Sequence, residues 1–272
     1  MTPRNLPLDR PAKRVGIVDR AASILDCFSR SAPEWTLPQM SRRLMLPKAT
    51  TFRLLTNLVR HGLLEHNAAA NLYTLGFGTL RLADVVLQSL AIRARARPAM
   101  QAIRDAVNET VVLSVRDGDN RYNVDSIEST HAIGQTQQIG VAIPLYAGAA
   151  SRVLLAAMSD EEIGAYLARV ERNAFSAMTI TEPRRLADEI ARTRRRGFAT
   201  SSGEFTPRGH AVGRAILDRD GCAAGALHVS IPDTRFSRAV EKRCVDALSE
   251  GVRKIENGLA GSASRDVGCP PR

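Results

Sequence analysis

The sequence lacks any run of about eighteen uncharged apolar residues, so it offers no segment that could span a bilayer. Its first thirty residues interleave Arg, Asp and Pro with short apolar pieces. A secretion signal needs an apolar core there, so the cytoplasm is the expected location. Cysteine is scarce: Cys27, Cys222, Cys244 and Cys269 form no C-x-x-C pair and have no histidine at ligand spacing. That predicts reduced thiols and excludes a disulfide framework or a zinc site. G-x-S-x-G, G-x-x-x-x-G-K and H-E-x-x-H are all missing. Cys222, His210, His228 and Glu204 could be assembled on paper into a nucleophile and base, but no motif organises them. Neither catalysis nor a cofactor nor a bound metal is expected.

What is present is length, apolar content and positive charge. The 272 residues, 44% of them hydrophobic, suffice for two domains with a core in each. The formal net charge is +10, which favours a polyanionic partner, although a basic surface also serves solubility alone. The excess is uneven. Residues 1–90 hold twelve Lys/Arg against six Asp/Glu, whereas residues 91–272 hold twenty-six against twenty-two.

Residues 1–14, with three prolines and no periodicity, read as a flexible basic arm. Ile17, Ala21, Ile24 and Phe28 then recur at helical spacing and predict a helix to about Arg30, stopped by Ser31-Ala32-Pro33. Thr36-Leu37-Pro38-Gln39 is a capping box that opens a second helix with Leu37, Met40 and Leu44 inward. Only Met45 and Leu46 separate it from Pro47 and a third helix. So tight a connection predicts a helix-turn-helix. In that third helix Phe52, Leu55, Leu58 and Val59 are assigned to the buried face and Thr50, Arg53 and Asn57 to the exposed one. His61-Gly62 is a C-terminal stop, and Leu63–His66 and Leu72–Leu75 around Asn67–Asn71 predict a β-hairpin wing.

A helix from Phe77 to about Leu90 carries Leu80, Leu82, Val85 and Val86, too apolar for full exposure, and charged residues Arg93 to Arg97 lead on to Pro98. We read 77–97 as a linker helix that packs on a partner subunit. Beyond it, strands are expected at Thr110–Arg116, Tyr122–Ile127, Ala211–Leu217 and Ala223–Ile231, and helices at Ala99–Val107, Ala149–Met158, Pro183–Arg196 and Phe236–Asn257. Asp218-Arg219-Asp220-Gly221 joins two of the strands as a hairpin, so the fold class is α+β with a mostly antiparallel sheet.

Several blocks occur in one order: Val18-Asp19-Arg20-Ala21, Leu46 to Leu55, Leu58 to Glu65, Tyr73 to Gly76, Asn108 to Leu113, Ile143 to Ala149, Arg196 to Ala199 and Ala226 to Pro232. In that order and spacing they resemble the IclR family of bacterial transcription regulators, over roughly Val15 to Leu259. The resemblance implies a winged helix-turn-helix at 15–76, the linker helix at 77–97, a GAF-like effector-binding domain at 98–260 and a flexible tail at 261–272. It also implies homodimers or homotetramers, double-stranded operator DNA and a small-molecule effector as partners, with no membrane.

On this reading Thr50, Arg53 and Asn57 face the major groove, Lys48 and Ala49 at the helix N-terminus meet phosphate, and Arg42 and Arg43 either touch backbone or are merely solvated. The positions matching the family's effector pocket are Ala149, Ala150, Ser201, Ala211, His228 and Ser230. Small residues leave room for a ligand and the polar ones suit a carboxylate or carbonyl of an organic acid; the alternative is that His228 is a satisfied core residue and the small side chains are packing. The chain departs from the family pattern at the wing tip Asn67-Ala68-Ala69-Ala70-Asn71, which has neither glycine nor arginine, at Ala147 to Val153, at Ser201-Ser202-Gly203, and at His228, one of two positions that are often serine. The rival function is a constitutive DNA-binding protein with a purely structural dimerisation domain.

Overall fold

The computed structural model describes residues 16–132 and 137–259. The expected arm at 1–14, the tail at 261–272 and Cys269 lie outside these residues. The chain divides into two compact units, with the division between Ser89 and Leu90. Among the described residues no helix is long and apolar enough to cross a membrane.

The first unit begins with helices α1 (Ile17–Leu25), α2 (Leu37–Arg43) and α3 (Lys48–Arg60). Helix α1 is a turn shorter than its periodicity suggests. After Asp26 the chain turns, and Ser29 and Ala32 exchange backbone hydrogen bonds of 3.1 and 3.0 Å, which carries Phe28 into the core from outside the helix. The Thr36 capping box forms as expected: the Thr36 amide donates to Gln39 Oε1 at 2.8 Å and the Gln39 amide to Thr36 Oγ1 at 3.4 Å. Met45, at φ 53°, makes the tight turn into α3. The core consists of Ile24, Phe28, Met40, Leu54, Leu55, Leu58, Leu64 and Tyr73. Each such side chain taken fully from water is worth about 1.5–3 kcal/mol.

The wing is a hairpin of β1 (Leu64–Asn67) and β2 (Leu72–Leu75). Trp35 extends it. Its amide donates to Tyr73 O at 3.0 Å and its carbonyl accepts from the Tyr73 amide at 2.8 Å, while the indole Nε1 donates to Cys27 O at 3.0 Å. At the base of the wing three glycines meet. Gly62, at φ +70°, turns the chain out of α3 as the Leu63 amide reaches back to Leu58 O at 2.9 Å. The carbonyl of Gly62 accepts from the Gly78 amide at 2.9 Å. Backbones approach so closely here that a Cβ on Gly76 would sit 2.4 Å from that carbonyl oxygen.

Helix α4 (Phe77–Ser89) follows. The single linker helix expected over 77–97 is instead two helices, because Leu90 leaves the helical conformation with ψ 88°. Helix α5 therefore runs from Ala91 to Val107 and contains Pro98, where a start at Ala99 was expected. A proline in a helix interior leaves the carbonyl four residues back, that of Ala94, without its helical donor. Burial of Ile92, Ala96, Ala99, Met100 and Ile103 on one stripe offsets that loss.

The second unit is built on β3 (Thr110–Asp117), β4 (Asn120–Ile127), β5 (Ala142–Pro144), β6 (Ala199–Ser202), β7 (Gly209–Leu217) and β8 (Ala223–Pro232). These form one antiparallel sheet in the order β5-β4-β3-β8-β7-β6. Helices α6 (Ala149–Ala156), α7 (Asp160–Arg169), α8 (Pro183–Arg196) and α9 (Arg238–Leu259) complete it. Strands β5 and β6, of three and four residues, and helix α7 have no counterpart in the sequence reading.

The sheet has two unlike faces. One packs on α5 and α9 and is mainly apolar, with Val111, Leu113, Val115, Val212, Leu227, Val229 and Ile231 all buried, interrupted by Asp125, which accepts from Arg97 of α5, and Arg214, which donates to Ser249 of α9. Gly251 of α9 lets that helix approach α5, since a Cβ there would fall 2.6 Å from Ile103 Cδ1. The other face packs on α6, backed by α8, around Leu154, Leu155, Tyr166, Leu186 and Ile190. This second face carries Ser114, Arg121, Asn123, His228 and Ser230.

Substituting Gly76→Ala is expected to destabilise the first unit by about 1–3 kcal/mol, because the new methyl overlaps a carbonyl that α3 and the wing hold fixed. Trp35 is the only tryptophan and lies in this unit, so urea denaturation followed by its fluorescence measures the effect. An unchanged midpoint would show that the glycine contact is not limiting.

Candidate functional sites

The first candidate surface is the exposed side of α2 and α3. Helix α3 buries Thr51, Leu54, Leu55 and Leu58, and at about 100° per residue the opposite side carries Ala49, Arg53, Thr56 and Arg60. Of the residues assigned to this surface from the sequence, Arg42, Arg43, Lys48, Ala49, Arg53 and Asn57 are exposed, and Thr50 is half-buried at its edge. Phe52 is a correction. It was assigned to the core, but Thr51 and Leu54 take the inward positions and leave the Phe52 ring 55% exposed. Thr56 and Arg60 were missed for the same reason, a face placed about one residue off.

Arg43, Lys48, Arg53 and Arg60 have no carboxylate within ion-pair distance among the described residues, and Arg42 only donates from Nε to Pro38 O at 3.3 Å. Five cations without counter-charge therefore cluster on two adjacent helices. Arg42 and Arg43 also occupy the last turn of α2, where positive charge is favoured by the helix dipole. The wing tip is neutral: Asn67 Oδ1 accepts from the Ala70 amide at 3.1 Å, and behind the tip His66 stacks on Tyr73 at 4.3 Å.

Helix α4 buries no residue within its own unit, and Phe77, Leu80, Leu82, Val85 and Val86 are between 49% and 79% exposed. A helix this apolar on its surface is the mark of an interaction face.

The second candidate site lies on the α6 side of the sheet. Ser201, Ala211 and Ser230 are directly opposite one another across β6, β7 and β8, and Thr110 of β3 continues the row. His228 stands two residues from Ser230 on the same face, opposite Gly213. Gly213 is where α6 docks: a Cβ there would fall 3.0 Å from Ala149 C and 3.1 Å from Ala150 N. All six residues matched to a pocket from the sequence thus come to one face.

The sequence reading missed four polar neighbours: Ser114, Arg121, Asn123 and Ser151, each no more than 4% exposed. Arg121 donates from Nε to Ser151 Oγ at 2.9 Å and from Nη1 to Ser114 Oγ at 3.1 Å and to Asn123 Oδ1. Its signal was the alternation Arg121, Asn123 on β4, hidden by starting that strand at Tyr122. Burial lowers the Arg121 pKa to about 10, so it stays cationic at neutral pH. Burial, and then the Arg121 charge, push His228 well below its ordinary value, which leaves the imidazole neutral. His228 Nδ1 is buried without a partner.

Beside this cluster Arg152 of α6 binds Glu204 at 2.5 Å and the Thr200 carbonyl, and Glu204 accepts from the Gly148 amide at 3.3 Å. The groups once assembled on paper as a nucleophile and base do not meet. Cys222 sits at the turn end of the β7–β8 hairpin and His210 at its far end, bonded to Asp233 at 2.7 Å.

Comparison with known proteins gives matches over both units of the chain. Residues 17–68 match the family described as IclR helix-turn-helix domain, and residues 84–257 that described as Bacterial transcriptional regulator IclR C-terminal. The HTH-type transcriptional regulator KipR of Bacillus subtilis is 30% identical over 88% of this chain and 96% of its own. A crystal structure of an ICLR transcriptional regulator from Silicibacter sp. TM1040 superposes with a TM-score of 0.75 at 27% identity, covering 94% of this chain and 98% of that one. An IclR homolog from Microbacterium hydrocarbonoxydans, complexed with 4-hydroxybenzoate, shares the fold with a TM-score of 0.75 at 22% identity over 91% of this chain and 100% of that one.

A buried neutral His228 makes stability depend on pH. The unfolded chain takes up a proton near the ordinary pKa of 6.5, which the folded state refuses. The stabilisation is full above that pH and falls on acidification at up to ~1.4 kcal/mol per unit until the depressed folded pKa is reached. Urea midpoints by far-UV circular dichroism between roughly pH 7.5 and 5.5 should show this slope, and His228→Leu should flatten it. Equal slopes in the two proteins would place the titrating group elsewhere.

Proposed function

The chain belongs to the IclR family of bacterial transcription regulators, and from that membership we propose that α3 reads operator DNA through Arg53, Thr50 and Asn57 while α2 and the start of α3 hold phosphate. The observation that carries this is the cluster of uncompensated cations on one exposed helical surface. Arg42, Arg43 and Lys48 supply charge to the backbone, and the Ala49 position presents a helix N-terminus with unsatisfied amides. Arg53 projects from the side of α3 opposite the core and suits a bidentate contact with guanine. Thr56 and Arg60 extend the same surface. The neutral wing tip supports a contact made by shape rather than by phosphate neutralisation. The protein acts in the cytoplasm as a homodimer or homotetramer, with the apolar side of α4 as its association face.

The larger unit is the effector-binding domain, with Ala149, Ala150, Ser201, Ala211, His228 and Ser230 lining the site. The unpartnered Nδ1 of His228 supports a binding role over a packed, purely structural interior. An organic acid is the proposed effector class, and aromatic acids come first because the Microbacterium homolog is complexed with one. A ligand changes DNA affinity only if it binds one arrangement of the protein better than another.

Selection of bound fragments from the source genome, repeated with Arg53→Ala, tests the DNA reading. The variant should lose discrimination at one operator position by about 1–3 kcal/mol while non-specific affinity changes little. An unaltered base preference would remove Arg53 from the reading set. For the effector, melting of the full chain with 4-hydroxybenzoate and a panel of aliphatic acids should show a rise in midpoint with at least one acid. Flat curves for all of them would retire the organic-acid assignment.

A further inference from the structure

Among the described residues the second unit holds three deeply buried carboxylates, and each already has its own arginine. Glu204 is bound to Arg152, Asp125 to Arg97 at 2.9 Å with Arg93 beside it, and Glu109 to Arg235 at 2.5 Å. Arg121 is the exception. It is 4% exposed, and every partner it has is a neutral dipole: Ser151 Oγ, Ser114 Oγ and Asn123 Oδ1. Those dipoles are themselves tied down, Ser151 to Pro144 O at 3.1 Å and the Asn123 amide to Gln138 O at 3.1 Å. Among the described residues no carboxylate lies within ion-pair distance of it.

A guanidinium in this position is a standing cost to the folded chain. Taking a charge from water costs several kcal/mol, and hydrogen bonds to neutral acceptors recover only part of that. A leucine or valine at position 121 would fill an inward-facing strand position without the penalty. The charge also does not hold the fold together in the way that Arg152 and Glu204 do, since it ties no second charge to the sheet. Yet it is placed on the face that holds His228 and Ser230, under the first turns of α6, where Ser151 belongs.

We infer that Arg121 is the anchor for a negatively charged group of the effector, a carboxylate, so that the site selects an anion over a neutral molecule of the same shape. This rests on the proposal that the larger unit binds an effector, and it adds a residue and a charge rule to it. The site offers one positive charge, because His228 beside it is neutral and free to donate or accept a hydrogen bond at Nδ1. A single carboxylate balances that charge. Ser201, Ser230 and Thr110 stand in one row along the strands, Ser230 accepting from Gln137 Nε2 at 3.1 Å and Thr110 from the Ser129 amide at 3.3 Å, and give the uncharged end of the molecule a polar wall. The Nε and Nη1 donors of Arg121 are taken by Ser151, Ser114 and Asn123, so the contact with a carboxylate falls to Nη2 and draws on the full charge of the guanidinium, which an amide cannot balance.

The test compares acids with their amides on the full chain at constant ionic strength: acetate with acetamide, benzoate with benzamide, phenylacetate with phenylacetamide. Affinities are read by titration calorimetry. Wild-type protein is expected to bind at least one acid tenfold or more tightly than its amide. Arg121→Gln should abolish that ratio, and Arg121→Lys, which keeps the charge, should keep most of it. Unliganded Arg121→Gln should melt no lower than wild type, since it removes an uncompensated charge.

Amides that bind wild type as well as acids, or an acid preference that survives in Arg121→Gln, would overturn the anchor and leave the effector-binding proposal standing. A fall in melting midpoint of Arg121→Gln with its acid preference intact would make the residue a structural clamp, which also overturns the inference. If no member of any pair binds wild type, the anchor fails. If 4-hydroxybenzoate and the other acids also leave the melting midpoint flat, the organic-acid assignment fails with it.

Discussion

The rotation of α3 about its own axis is the constraint from which the surface proposed to face DNA follows. Leu54, Leu55 and Leu58 are drawn against α1, α2 and the wing because water rejects them at one helical period, and Thr51 comes inward with them, its hydroxyl donating to Pro47 O at 3.2 Å. Once those four are inside, no freedom remains over what faces out. Arg53 must stand opposite the core, Lys48 must sit at the N-terminal end, and Phe52 must surface although it is as apolar as its buried neighbours. The Trp35–Tyr73 pairing and the contact of Gly62 with Gly76 and Gly78 fix the wing to the same frame. Recognition chemistry is thus supplied by side chains, but its aim is supplied by packing.

The larger unit solves a different problem with the same means. One side of its sheet is sealed by α5 and α9 mainly with aliphatic side chains, and its polar groups there are paired, Asp125 with Arg97 of α5 and Arg214 with Ser249 of α9. The other side is covered by α6 and α8 but is interrupted by hydroxyls, an imidazole and a guanidinium. Keeping the imidazole and the guanidinium that lacks a countercharge on one face lets a domain keep the other half close-packed, with its polar groups paired, while holding groups that a ligand can use. The Arg152–Glu204 pair marks the border between the two roles. It ties the α6 start to the segment after β6, closing the polar side without entering the row of residues that faces it.

Most of this organisation was legible in the sequence, and the failures have physical causes. The helix-turn-helix was readable because the Thr36 capping box, Pro47 and Gly62 punctuate it, and because two-residue spacing between helices admits few geometries. Strands β3, β4, β7 and β8 were readable within two residues at each end. Strands β5 and β6 were not, since three or four residues hold too few alternations to show a period. The apolar pattern was read as ending near Leu90, but the linker was carried on to residue 97 because Pro98 looked like the natural boundary, so the start of a second helix at Ala91 was missed. Phe52 shows that apolar character alone does not assign a face when a threonine can take the inward position instead. The six pocket positions came from a family pattern, and the pattern could not point to Arg121, because what makes that residue unusual is the absence of a countercharge around it.

The position of the one indole has a practical and mechanistic consequence. Trp35 bridges the wing and the segment before α2, and the larger unit contains no tryptophan at all. Tyr122, Tyr146 and Tyr166 lie in that unit, so it is emission excited selectively from tryptophan, not intrinsic emission as a whole, that is silent about events at the α6 site themselves. Any change in that emission when a small molecule binds there records something that has travelled across the boundary at Leu90. The chain thus carries a built-in optical gauge of communication between its halves, needing neither label nor DNA.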